Sequence, residues 1–321
     1  ICQNRKEKIM STSGVSTFNL DLNNIVEEAF ERCGIESRTG YDLKTARRSM
    51  NLLSMEWANR GINLWTVDQQ TIVMNTGQPI YPLPVDTVDI LDAVIRTQSG
   101  STYNQIDINI SRIAEPTYMS IPNKLTYGRP IQMYVNRQSG MSNATTITLA
   151  AGINATDTTI TLSTTTGLAS IGFIKIGSET ISYTNVDPTN NQLVNCWRGQ
   201  NGTTAAAHTA GATLTVQNLP CVNLWPTPNP PGNQYTFVYY RLRRMQDAGE
   251  GGTYEQDIPF RLLPALIAGL AYQIAMKKPE VPPERIAMLK ADYMEQFQLA
   301  ADEDRDKAAV RFVPRNMFYY R

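Results

Sequence analysis

Residues 141–170 read MSNATTITLAAGINATDTTITLSTTTGLAS, and this stretch decides how the chain is divided. It opens a segment, Met141 to Val216, whose only charged residues are Asp157, Lys175, Glu179, Asp187 and Arg198, whereas 18% of the whole chain is charged. Strand-like pieces recur at Thr145–Leu149, Thr158–Leu162, Phe173–Ile176, Thr180–Thr184, Gln192–Cys196 and Thr213–Val216. Turn residues separate them: Gly152-Ile153-Asn154, Thr166-Gly167, Gly177-Ser178, Asp187-Pro188 and Asn201-Gly202. Short β-branched runs at such intervals predict a small all-β sandwich or barrel. One helical turn is expected, at Thr204–His208.

Working outward, both flanks carry helices and strands. Leu22, Ile25, Val26, Ala29, Phe30 and Cys33 form an apolar stripe at helical spacing. Asp21 or Asn19 can cap its start, and Gly34 can close it. Leu43, Ala46, Met50, Leu53 and Trp57 mark a second helix that stops at Gly61. Leu64–Met74, Val85–Thr97 and Ile131–Val135 predict strands, Ser111–Ile121 is mixed, and Tyr81-Pro82-Leu83-Pro84 is an extended linker. Beyond the threonine-rich segment, Leu219–Pro231 is punctuated by prolines and Gln234–Arg241 reads as a strand. Asp257 is expected to cap a mainly buried helix near Pro259–Lys277. Pro282-Pro283 starts a last helix with a seam of Ile286, Leu289, Tyr293, Phe297 and Ala300.

Neither helix pair makes a large core alone, so all four are expected to pack as one discontinuous domain. The fold class is therefore α+β. Residues 10–140 and 217–310 form a discontinuous helical framework with associated strands, 141–216 an inserted all-β sandwich or barrel, and 311–321 an extended C-terminal tail. Met10-Ser11-Thr12-Ser13 reads as a natural start, so residues 1–9 carry no functional weight.

The 29 basic and 29 acidic residues balance. A whole face devoted to nucleic acid is therefore disfavoured, although a local basic patch is compatible. Cys2, Cys33, Cys196 and Cys221 show no CxxC spacing and read as reduced thiols. No apolar run reaches the ~20 residues that span a bilayer. Ile1–Met10 is charged and has no signal-peptide core.

Catalysis needs a constellation, and the residues offer none. His208 is the single histidine, and Cys196 twelve positions away has no third or fourth partner for a metal. No GxSxG elbow or GxxxxGK[ST] loop occurs. Gly249-Glu250-Gly251-Gly252 is acidic, which repels phosphate and marks a linker. Glu27-Glu28 and Asp302-Glu303-Asp304 lie on amphipathic helices and read as solvated faces rather than a catalytic acid pair. No cofactor is expected, and the chain does not read as an enzyme. Arg47, Arg48, Arg241, Arg243 and Arg244 admit two readings: surface cations in ion pairs, or sequence-independent phosphate contacts around DNA.

The C-terminal eleven residues are more pointed. Arg311, Phe312, Arg315, Met317, Phe318, Tyr319, Tyr320 and Arg321 crowd aromatic and cationic groups into a terminus. Such a tail folds back or docks on a partner. Burying its five large apolar side chains gives ~7–15 kcal/mol gross. Ordering each residue costs roughly 1–2 kcal/mol. One tail binds weakly, whereas several tails on an oligomer bind tightly through avidity.

The framework resembles the head-to-tail adaptor family of short-tailed phages, also described as packaged-DNA stabilisation or tail accessory proteins. The resemblance is carried by Ile25-Val26-Glu27-Glu28-Ala29, Met55-Glu56-Trp57, Tyr81-Pro82-Leu83-Pro84, Ile121-Pro122-Asn123-Lys124 and Gly128-Arg129-Pro130. Leu224-Trp225-Pro226-Thr227-Pro228 and Asp257-Ile258-Pro259 continue it. It implies a virion protein of the head–tail junction, made in the bacterial host cytoplasm. It further implies a ring, commonly of twelve subunits, between the portal protein and a distal nozzle or hub, close to packaged DNA. The C-terminal extension of the family reaches into the portal. Residues 141–216 depart from the compact family pattern. There, Arg198-Gly199, Gly202-Thr203 and His208-Thr209-Ala210-Gly211 look like a β module of phage tail proteins, an attachment point for a fibre or spike. Two other readings remain beside this one: a tail-associated peptidoglycan hydrolase, and a glycan- or fibre-binding module using Phe173, Tyr183 and Trp197.

Overall fold

A computed structural model describes residues 20–36, 40–62, 64–229, 235–247 and 257–304. Helices α1 (Leu22–Cys33) and α2 (Gly40–Asn59) open it. Strands β1 (Val67–Val73), β2 (Ile80–Pro82), β3 (Thr87–Thr97), β4 (Ile106–Asn109) and β5 (Ser111–Arg112) follow, then the short helix α3 (Glu115–Met119). Next come β6 (Tyr127–Gly128), β7 (Gln132–Asn136), β8 (Ser142–Thr148), β9 (Thr159–Thr161), β10 (Gly172–Ile176), β11 (Glu179–Asp187), β12 (Gln192–Gln200) and β13 (Thr213–Gln217). The chain continues through β14 (Cys221–Trp225), β15 (Thr227–Pro228) and β16 (Tyr235–Arg243) to α4 (Leu263–Ala275) and α5 (Pro283–Glu303). The fold is α+β. It divides into two compact units, Ile1–Thr66 with Met245–Arg321, and Val67–Arg244.

The first unit is helical. The Asp21 carboxylate accepts the Asn24 N–H and starts α1, and Gly34 at φ +78° ends it, a left-handed turn that L side chains resist. Helix α4 packs against α1, α2 and α5. It is apolar on nearly every side, as a central helix must be. Gly269 lets Leu53 and Tyr293 close on it, since a Cβ there would meet both at 2.8 Å. The Trp57 indole donates to the Tyr293 hydroxyl at 3.2 Å inside this core, and Phe297 packs edge-on against both rings. Asp257 does not cap α4. Phe260–Leu262 forms a 3-10 turn first, and the Asp257 carboxylate accepts the Gln246 N–H instead.

The second unit holds the strands. One sheet runs β1-β16-β3-β4, a second β2-β14-β7-β5, and β15 pairs β6. Met74, Tyr81, Leu83, Ile90, Ile95, Met133, Leu224, Phe237 and Tyr239 fill a common core. Two segments differ from expectation. The first two residues of the extended linker, Tyr81-Pro82, belong to β2, and the proline-punctuated Leu219–Pro231 contains β14, which pairs with β2 on one side and β7 on the other. Leu64–Thr66 is a 3-10 turn preceding β1 rather than part of the strand.

The threonine-rich segment forms its own six-stranded sheet, β8-β13-β10-β11-β12-β9. A bridge between Leu149 and Leu162 brings its two edges together, so the sheet curls towards a barrel around Ile160, Ile174, Ile176, Ile181, Leu193 and Leu214. Its entry and exit run side by side: Gly140 N–H donates to Asn218 O, and Asn218 N–H to Met141 O. The expected helical turn at Thr204–His208 does not form. His208 is extended and bridges Ile153, because its side chain is held as described below.

Candidate functional site

The densest polar arrangement lies in the curled sheet. Glu179 begins β11 with no exposed surface. Arg198 Nε donates to its Oε1 at 2.9 Å and Nη2 to its Oε2 at 2.7 Å. The Gly199 and Ala206 N–H groups also donate to the carboxylate, and His208 Nε2 lies 2.9 Å from it. Burial alone would push the Glu179 pKa up. The hydrogen bonds from Arg198, Gly199, His208 and Ala206 outweigh it and hold the carboxyl down at about 2. The guanidinium also reaches Asn154 O and Ala206 O. These bonds tie the loop from Gly199 to His208 to the sheet.

Arg241 has a similar fate. Its guanidinium meets Asp68 Oδ1 at 2.8 Å and Asp86 Oδ1 at 2.5 Å, with a further bond to Thr87, and it is buried. Of the two readings open for it, ion pairing or phosphate contact, the bonds match ion pairing, with the side chain buried rather than on the surface. Arg243 Nη1 donates to Arg244 O at the end of β16, where both are partly exposed or exposed. Arg48 is exposed on α2, while Arg47 beside it is half-buried.

The framework motifs, far apart in sequence, meet in space. Trp225 Nε1 donates to Asn123 O, and Thr227 Oγ1 to Lys124 O. Gly128 lies against Pro226, where a Cβ would come within 3.3 Å. The Trp225–Pro226 bond is cis, Pro130 is buried, and Arg129 is exposed. Trp57 belongs to the helical core instead. Arg311, Phe312, Arg315, Met317, Phe318, Tyr319, Tyr320 and Arg321 lie outside the described residues.

A cleft of about 700 Å³ opens between Gln70–Val73 of β1, Tyr81, Pro84, Tyr239 and the turn Arg198–Gly202. Its titratable linings are Arg198, bound to Glu179, and two tyrosines whose hydroxyls burial pushes up, Tyr239 to about 12. Among the described residues no general acid or base for neutral pH faces it. Among the described residues no cluster of three His, Cys, Asp or Glu could hold a metal, and no helix is long and apolar enough to cross a membrane.

Sequence reading missed Glu179. One signal was available: it is one of five charges in a segment otherwise neutral. Of the three aromatics considered for glycan binding, Phe173 and Tyr183 are buried, and Tyr183 donates to Ala169 O.

No curated protein matches the chain. One family model, described as SU10 adaptor protein, matches residues 129–316. The matched span takes in β7 through α5 and the sequence positions Arg311, Phe312 and Arg315. It begins after the Ile25–Ala29, Met55–Trp57, Tyr81–Pro84 and Ile121–Lys124 motifs. More than half of the chain is covered, and this protein belongs to the SU10 adaptor protein family, a family of phage structural adaptors.

Proposed function

We propose that the chain is a head-to-tail adaptor of a short-tailed phage. Copies form a ring, of about twelve subunits by the family resemblance, between the portal and the distal tail, and help to retain packaged DNA. The observation that carries this reading is the adaptor-family match across residues 129–316.

In this reading the tail of residues 311–321 docks on the portal, and the curled sheet faces outward as an attachment point for a distal tail, fibre or spike protein. Of the five arginines considered for sequence-independent contact with DNA, Arg47, Arg48, Arg243 and Arg244 stay candidates, whereas Arg241 is engaged by Asp68 and Asp86. The glycan-binding alternative is weakened because two of its three aromatics are core residues. The test is the mass and symmetry of the full-length protein mixed with portal rings of the same virion, by native mass spectrometry and electron microscopy. A defined ring on the portal is expected. A chain that stays monomeric beside the portal overturns the reading.

A further inference from the structure

Helix α2 carries two stripes. Ala46, Met50, Leu53 and Trp57 point into the helical core. At 100° per residue, Tyr41, Lys44, Arg48, Leu52 and Met55 fall on the opposite side. All five are exposed, and Tyr41, Leu52 and Met55 are each more than half exposed. A lone exposed leucine needs no explanation, but an apolar line along a helix of 20 residues, about 30 Å long, does. Lys44 and Arg48 sit within this line and form no ion pair among the described residues.

Helix α5 repeats the pattern with the opposite sign. Leu289, Tyr293 and Ala300 are buried. Glu284, Ala291, Glu295, Gln298 and Asp302 run down the far side, with exposed Met288 and Leu299 along one flank and Met294 along the other. Lys290 lies about a third of a turn off this line. Glu284 and Glu295 form no ion pair among the described residues. One helix thus offers cations among apolar side chains, and the other offers acids among apolar side chains.

We infer that the outer face of α2 in one copy seats on the outer face of α5 in another copy of this chain. The two faces differ, so the contact is head-to-tail, and it closes into a ring or extends into a filament. The occupant is a second copy because the complementary face is carried by the chain itself: charge opposite charge, methionine and leucine opposite leucine, methionine and tyrosine. The inference rests on the ring reading above and names its contact surfaces.

The test uses two full-length variants. The first is Lys44→Glu with Arg48→Glu; the second is Glu284→Lys with Glu295→Lys. Either alone places like charges across every contact and weakens self-association at least about tenfold. Mixed in equal amounts, the two regain assembly, because each reversed face then meets an oppositely reversed one. This rescue also shows that both variants fold. Association is read by sedimentation velocity and native mass spectrometry, alone and on portal rings, and the wild-type contact weakens with salt. If the wild type assembles and the second variant assembles equally well, α5 is not the partner face and the inference falls while the ring reading stands. If the first variant assembles normally but binds DNA less tightly, α2 faces DNA and the inference also falls. A wild type that stays monomeric in both settings removes the ring and the inference together.

Discussion

Arg198 clamps Glu179 with two parallel bonds, Nε to Oε1 at 2.9 Å and Nη2 to Oε2 at 2.7 Å, at a site where both side chains are sealed from water. Such a pair is damaging to break, because the remaining charge stays buried. Glu179→Ala is expected to destabilise the strand unit by about 3–5 kcal/mol in urea unfolding. Replacing both partners, Glu179→Leu with Arg198→Met, removes the stranded charge but still orphans the half-buried Gly199 N–H, at about 1–3 kcal/mol, and frees the Ala206 N–H of an exposed residue. The double variant is therefore expected to remain less stable than wild type. A double variant as stable as wild type would mean that the carboxylate does not hold the loop.

The same carboxylate sets an acid response. Its pKa in the folded chain is about 2, below the ordinary 4.5. Its stabilising contribution is fully present above 4.5 and is lost as the pH falls towards 2. Urea midpoints measured across that window should fall more steeply for wild type than for Glu179→Gln. Parallel slopes would assign the acid response to other carboxylates.

Arg241 gives a second mutational test. Arg241→Ala leaves Asp68 and Asp86 facing each other without their shared cation. The expected loss is about 2 kcal/mol, below that of a sealed pair because Asp86 is nearly half exposed. Lysine cannot reproduce the guanidinium fork that reaches Asp68, Asp86 and Thr87 together, so Arg241→Lys should recover little. Thermal unfolding decides this. A surface arginine reserved for DNA would show unchanged stability in both variants.

Local rules exposed much of the fold and little of the polar chemistry. Periodicity placed the buried stripes of α1, α2 and α5, and β-branched runs placed the strands of the curled sheet, because these signals sit within single elements. Strand β14 escaped because prolines surround Cys221–Trp225, and what makes it a strand is pairing with β2 and β7 from more than eighty residues away. The burial of Arg241 is illegible for the same reason, its partners Asp68 and Asp86 being distant in sequence. The outer stripe of α2 went unread because the inner one already explained the helix. Tyr41, Leu52 and Met55 become conspicuous only once Ala46, Met50 and Trp57 are seen to fill the core.

The thiols make a further prediction. Cys33, Cys196 and Cys221 are free and buried, and burial pushes their pKa values up, Cys33 to about 11 and the other two to about 12. The thiolate is the nucleophile, so all three should resist alkylation by iodoacetamide in the folded protein and label together on unfolding. Peptide mapping by mass spectrometry reads each site. Rapid native labelling at Cys196 would mean that the curled sheet opens locally.

Removal of residues 311–321 tests the tail assignment. Phe312, Met317, Phe318, Tyr319 and Tyr320 supply the apolar surface, and Arg311, Arg315 and Arg321 the charge. Each copy alone gains little after ordering eleven residues, since the ~1–2 kcal/mol per residue largely offsets the burial. A ring multiplies the contact, so its loss should weaken portal binding by about a hundredfold or more through lost avidity. Self-association through α2 and α5 should persist in the truncated chain, because neither helix includes these residues. Co-sedimentation with portal rings at two salt concentrations separates the contributions: an arginine-driven contact weakens with salt, and an aromatic one does not. Undiminished binding by the truncated chain would place the portal contact elsewhere in the molecule.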